Sequence, residues 1–149
     1  MEIKPSELSG KFNDLASKLP EAVESAIDAG LVELDAQFSN RVWNQNEDIN
    51  SKKFGKYKST AYENYRKSLG RQVTDKDLQL FGGLRRSITI DYSEKALIFT
   101  DEKSVLIADG QEKQMSTVIF EASKKEVDLV LDVIDSEFTI FTKSIIESE

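Results

Sequence analysis

The chain has 149 residues, 39% hydrophobic and 32% charged, a balance that suits one globular domain and excludes a disordered tract. It contains no cysteine and no histidine. Disulfide and thiolate chemistry are therefore excluded, as are schemes that need a histidine base or ligand. The net charge of −7 conceals an asymmetry: residues 1–39 carry three lysines against eight acids, residues 40–86 eleven basic residues against five acids, and residues 87–149 six lysines against fourteen acids. A basic middle between acidic flanks suits a nucleic-acid contact or copies that meet basic side to acidic side. No apolar run approaches the ~20 residues of a membrane span, and the polar start MEIKPSELSG lacks the apolar stretch of a signal peptide. The expectation is a cytosolic product, or one assembled in the cytosol and carried outside in a particle, with no membrane contact.

Taken in order, a short helix is predicted over 6–18, with Leu8, Phe12, Leu15 and Leu19 on one face. Pro20 then suits the first turn of a second, longer helix, where its missing N–H costs nothing. Val23, Ile27, Leu31, Leu34, Phe38 and Val42 recur at steps of three and four along it. Gly30 inside this helix costs about 1 kcal/mol relative to alanine and marks either close approach of another backbone or nothing. Residues 44–58 read as an exposed polar loop, or an arm that orders only on assembly. Two short helices follow, over 61–68 and 75–81, from the spacing of Thr60 to Glu63 and Thr74 to Asp77, and Gly82 and Gly83 end the second.

The period then changes. Residues 87–93 alternate and 96–100 follow, predicting a hairpin with a two-residue turn at Glu94 and Lys95. Asp109-Gly110 reads as a turn, and the apolar run Val118, Ile119, Phe120 as a third strand over 116–120. Ser123 and Glu126 form a capping box for a last helix striped by Val127, Val130, Leu131, Ile134, Phe138, Phe141 and Ile145. The fold class is α+β: long N-terminal and C-terminal helices packed on a small antiparallel sheet, with short helices in the middle, as a single domain over 1–149.

Chemical motifs are sparse. Asp75 and Asp77 flank Lys76 and read as helix-start charge. Asp132 and Asp135 could pair on the last helix but fall among water-facing positions. No phosphate-binding glycine loop or calcium loop is present. No cofactor, metal or catalytic residue is expected, and the chain does not read as an enzyme. Tyr57, Tyr62 and Tyr65 among Lys56, Lys58, Arg66 and Lys67 have the interleaving of a single-stranded nucleic-acid contact. Alternatively, Tyr62, Tyr65 and Leu69 pack one helix face while the basic side chains reach past them into water. Trp43, the sole tryptophan, is either core or an interface anchor.

The pattern GxLxxSI occurs as Gly82, Leu84, Ser87 and Ile88, downstream of Phe54, Gly55, Tyr57, Tyr62, Arg66 and Lys67. Together with the order of elements over residues 20–146, this resembles the tailed-phage tail-completion proteins, a virion morphogenesis or head–tail joining group. The chain departs from that pattern at Phe81, at Ala108-Asp109-Gly110-Gln111 and at Val118-Ile119-Phe120. The resemblance implies a non-catalytic structural protein of the virion, assembled in the host cytoplasm into a ring of about six copies at the connector or neck. Its partners would be itself and other phage connector and tail proteins, with room for a passing contact with genomic DNA. The expected interface residues are Trp43, Lys52, Lys53, Lys56, Tyr57, Lys58, Arg66, Lys67, Arg71, Arg85 and Arg86. The alternative is a small nucleic-acid-binding protein using segment 52–86.

Overall fold

The computed structural model describes residues 5–79 and 82–147. Its elements are α1 (Pro5–Ser39), a π-helical turn (Asn40–Gln45), α2 (Thr60–Ser68), α3 (Gly83–Arg86), β1 (Ile88–Asp91), β2 (Ala96–Phe99), α4 (Glu102–Met115) and α5 (Lys124–Ile146). The α+β architecture is as the hydrophobic periods predict: two long helices, a small antiparallel sheet and short helices between them.

The first correction concerns the start. No break separates a short helix from a long one, and Pro20 lies inside a single 35-residue helix of about 50 Å. An interior proline costs about 3 kcal/mol. Tertiary packing offsets it, because α5 runs antiparallel alongside on both sides of Pro20. Lys11 Nζ donates to the Ile146 carbonyl at 2.6 Å at one end, and Arg41 reaches Glu126 at the other.

The buried face of α1 is wider than the large-residue stripe, of which Leu31, Phe38 and Val42 are buried and Ile27 and Leu34 half-buried. Ala22, Ala26 and Gly30, spaced by four, are buried, whereas Val23 is exposed. Small residues let the axes approach. A Cβ on Gly30 would lie 2.9 Å from Ile134 Cγ1 and 3.1 Å from Val130 Cγ1. Gly30→Ala should therefore lose about 1 kcal/mol net, because overpacking of about 1–3 kcal/mol outweighs the ~1 kcal/mol gain in helix propensity. A higher urea midpoint in the variant would show that the helices have room to spare.

Beyond Ser39 the chain builds a small head on the end of the helical pair. Its core is Phe38, Val42, Trp43, Leu84, Ala108 and Ile119, with Phe54, Leu78, Ile88, Leu97, Phe99, Met115 and Phe120 against it. The hairpin pairs Ile88 with Phe99 and Asp91 with Ala96. Its loop has four residues rather than two, because the Asp91 carboxylate accepts from the Ser93 N–H (2.9 Å), the Ser93 hydroxyl (2.6 Å) and the Glu94 N–H (3.2 Å). Lys95, at the loop's end, reaches Asp28 on α1 at 2.8 Å.

Two expected elements are absent and one unexpected helix is present. Residues 72–79 form an irregular loop, not a helix; Leu80 and Phe81 lie outside the described residues. Gly82, at φ +70°, begins α3 instead of ending a helix, and Arg86 Nη1 folds to 2.8 Å from where a Cβ on Gly82 would sit. Among the described residues, 116–120 pair with no strand, since their backbone groups go to the end of α4, to the Ile49 N–H and to side chains. Glu112 Oε1 accepts from the N–H groups of Ile119 (2.6 Å) and Phe120 (2.9 Å), and Arg41 donates to the Ile119 carbonyl (3.0 Å).

The unexpected helix, α4, contains Asp109-Gly110 in its middle rather than at a turn. Asp101 caps it, accepting from the Ser104 N–H at 2.8 Å. Its buried positions are Ser104 and Ala108, while the apolar run Val105, Leu106, Ile107 is exposed. The pattern that normally marks a helix is therefore inverted. The capping box of Ser123 and Glu126 is present at the start of α5.

Candidate functional site

The basic middle of the chain converges on two adjoining clefts in the head. The first, of about 640 Å³, lies between α2 and α4. Tyr57 and Tyr62 form one wall, Leu78, Leu84 and Ile107 the apolar floor, and Lys58 and Lys76 part of the rim, with Gln111 and Gln114 opposite. The second, of about 390 Å³, shares Lys58 and Lys76 and adds Lys52, Lys53 and Lys56. Five lysines thus line one continuous depression.

Asp48 shapes the near wall. Its buried carboxylate accepts from the N–H groups of Asn50 (2.8 Å) and Lys52 (3.0 Å) and from the Thr117 hydroxyl (2.7 Å). A bridge between Glu47 and Lys53 closes the same turn. Most side chains over 44–58 are exposed, as a polar loop predicts, but this turn is pinned to the body by its centre rather than left as a free arm.

Behind the far wall sits the cluster that holds α2. Arg66 is only 1% exposed and forks onto Asp77, Nη2 to Oδ2 at 2.8 Å and to Oδ1 at 3.0 Å, while its Nε donates to the Gln72 carbonyl at 2.9 Å. The guanidinium also stacks over the Tyr57 ring at 4.8 Å. The Tyr57 hydroxyl donates to Asp77 Oδ1 at 3.0 Å. Burial, with the Asp77 charge beside it, pushes the Tyr57 phenol up to about 12. At neutral pH it keeps its proton and serves as a hydrogen-bond donor, not as a nucleophile or base.

Burial pushes the Asp77 carboxyl up, but the Gln79 N–H, the Gln72 amide, the Tyr57 hydroxyl and the Arg66 guanidinium together hold it below the usual carboxylate range. Its charge therefore contributes stability that is fully present above the unfolded value near ~3.9 and is lost as pH falls through the lower folded value. The gap in urea midpoint between the native chain and Asp77→Asn should narrow as pH is lowered from about 5 to about 2. A gap unchanged over that range would mean that the charge contributes nothing.

These positions correct several expectations. Arg66 is not a surface contact but the most buried cation in the head. The helix-packing reading of α2 is reversed, since Tyr62, Tyr65 and Leu69 are exposed and the arginine faces inward. Asp77 starts no helix; it anchors this cluster. Trp43, 3% exposed, is core rather than an interface anchor, in contact with Phe120 at 6.2 Å between ring centroids. Lys52, Lys53, Lys56, Tyr57 and Lys58 line the clefts, as Arg66 does from beneath, whereas Lys67, Arg71, Arg85 and Arg86 line neither. Lys53 is engaged with Glu47 at 3.1 Å.

Sequence reasoning missed Lys76, Ile107, Gln111 and Gln114 as site residues. Lys76 carried a signal, since it stands in the basic segment; the other three belong to the helix that the pattern concealed. Gly82, Leu84, Ser87 and Ile88 form the turn into the hairpin: Leu84 is in the core and the buried Ser87 hydroxyl donates to the Leu84 carbonyl at 2.7 Å. Among the described residues no group of three or more acidic side chains is placed to hold a metal ion, and no helix is long and apolar enough to cross a membrane. Comparison with protein-family models, curated proteins and solved structures finds no match to this chain.

Proposed function

We propose that this chain is a structural protein that assembles with copies of itself into a ring, as a tail-completion or neck component at the head–tail junction of a tailed-phage particle. The observation that carries the self-assembly is the presence of two unlike faces on one body. The segment 52–86 has ten basic residues against three acids and forms the lysine-lined clefts. Helix α1 has two lysines against seven acids and α5 three against five, and the pair leaves Phe12, Val23, Val127 and Leu131 exposed. Ring contacts are heterologous, one surface meeting a different surface of the next copy, and unlike faces are what such contacts need. Placement at a head–tail junction rests on the resemblance carried by Gly82, Leu84, Ser87 and Ile88 and by the order of elements. A ring of about six copies, its partners among the connector and tail proteins, and a location in the virion after assembly in the host cytoplasm all belong to that same reading. In it the chain is not an enzyme.

The test is light scattering coupled to size exclusion at about 50 mM and about 500 mM salt, with electron microscopy of the eluted species. Closed rings, or an oligomer that salt dissociates, are the expected result. A monomer at high micromolar concentration at both salts, with no ring on the grid, would sink the reading.

A second reading, a single-stranded nucleic-acid contact, draws on Tyr57 and Tyr62 beside Lys58 and Lys76. Against it, Arg66 already covers one Tyr57 face, and the Tyr62 ring meets Tyr57 edge-on at 5.4 Å between centroids. A salt-dependent shift of a labelled oligonucleotide would favour it, and no shift at about 50 mM salt would remove it.

A further inference from the structure

Helix α5 presents a ridge that the described residues of its own chain leave uncovered. Val127 and Leu131 are 43% and 56% exposed, although both belong to the apolar stripe that predicts the helix. With Asp135 they stand at i, i+4 and i+8, on one side of the helix. Asp128 and Asp132 lie one residue further round, beside them. Asp128 is paired with Lys124 at 2.7 Å, while Asp132 and Asp135 are exposed and make no ion pair among the described residues. The ridge thus carries two aliphatic anchors flanked by two unpaired carboxylates.

The cleft between α2 and α4 is its chemical complement. Leu78, Leu84 and Ile107 form an apolar floor, and Lys58 and Lys76, neither of them in an ion pair among the described residues, stand on the rim. An amphipathic helix laid in a groove is read through anchors spaced in this way, with opposite charges at the edge fixing its register. Among the described residues neither feature has a partner within one copy, and every copy carries both.

We infer that the α2–α4 cleft of one copy receives the Val127, Leu131 and Asp135 ridge of the next. This rests on the reading of the chain as a self-assembling ring protein and names the two surfaces that would join. Leu131 and Val127 enter over Ile107 and Leu84, Asp132 and Asp135 meet Lys58 and Lys76, and Tyr62 closes over the aliphatic side chains. The contact is head-to-tail, so it propagates to a third copy and closes when the rotation allows.

Charge reversal tests the pairing with little risk to the fold, because Lys58, Asp132 and Asp135 are exposed and Lys76 is half-exposed. Lys58→Glu with Lys76→Glu, and separately Asp132→Lys with Asp135→Lys, should each weaken self-association about tenfold or more. The chain carrying all four changes should recover it, as should an equimolar mixture of the two double variants. Because the native sequence has no cysteine, Leu131→Cys and Ile107→Cys on separate copies should also form an intermolecular disulfide when mixed and oxidised, more than either variant alone. Oligomers that form normally in both double variants, with no cross-link, would overturn this pairing while leaving ring assembly intact. A native chain that stays monomeric would overturn both. Loss of an oligonucleotide shift in the lysine variant, with its mass unchanged, would also overturn the pairing, in favour of nucleic acid as the occupant.

Discussion

Replacing Arg41 with methionine is expected to destabilise the protein by about 3–5 kcal/mol, the range for breaking a buried ion pair from one side. Arg41 stands in the π-helical turn at the end of α1 and is buried. Its Nε donates to Glu126 Oε1 at 2.7 Å, Nη1 to the Ile119 carbonyl at 3.0 Å, and Nη2 to the Glu121 carbonyl at 2.7 Å. One side chain therefore ties α1 to the start of α5 and to the connector between α4 and α5. Methionine keeps much of the volume, so the loss comes from what is left behind: a buried Glu126 carboxylate without its cation, and carbonyls without a donor. Glu126 is itself committed to the cap of α5, accepting from the Ser123 N–H at 2.6 Å. In a chain of this size each kcal/mol moves the melting temperature by about 2–4 °C, so a fall of about 10 °C is expected. Arg41→Met combined with Glu126→Gln should recover part of the loss, because the stranded charge is gone while the cap survives. Equal losses in the single and double variants, read from urea melts as a mutant cycle, would show that the ion pair is not what matters.

The second large effect is expected at Arg66, where sequence and structure give opposite forecasts. As a surface contact residue it could be neutralised within about 0.5 kcal/mol of native stability, the range for an ordinary surface change. As the buried fork on Asp77, its replacement by methionine should cost about 3 kcal/mol or more. Arg66→Lys should recover little, since a single ammonium nitrogen cannot hold Asp77 as Nη2 does, reach the Gln72 carbonyl as Nε does and lie flat over the Tyr57 ring at once. Lys67→Met, one residue away and exposed, is the control and should be near neutral. Because Arg66 and Tyr57 wall the α2–α4 cleft, the damage should be local, with faster amide exchange over 57–79 before the rest of the chain. Arg66→Met with native urea stability would return Arg66 to the surface.

How much was legible beforehand follows from the kind of signal each element carried. The stripes of α1 and α5, the alternation of the hairpin strands and the Ser123–Glu126 cap are short-range patterns, each written within one element. The elements they mark are present in the folded chain because neighbours along the sequence suffice to produce them. Helix α4 was illegible because its buried positions are a serine and an alanine while its apolar residues face out, so hydrophobic period pointed nowhere. The third strand failed for the opposite reason. Val118, Ile119 and Phe120 are good strand residues, but the Glu112 side chain, a few residues upstream, and Arg41, distant in sequence, occupy backbone groups a ladder would need. Pro20 reads as a helix start in the sequence because only α5 alongside can carry a helix through it.

The candidate site divides in the same way. That residues 52–86 concentrate positive charge, that the chain has neither thiol nor imidazole, and that its two ends are acidic helices are consequences of composition and order, and the sequence alone determined them. Which cations face water was a tertiary decision. Desolvating a guanidinium is tolerable only where a carboxylate and carbonyls converge on it, and Asp77 and Gln72 do so for Arg66 through a loop with no regular pattern. Lys58 and Lys76 remain at the rim because no carboxylate among the described residues converges on them. Which apolar residues stay uncovered was settled likewise, by small residues along α1 that draw α5 close along one line and leave Val127 and Leu131 beside it in solvent.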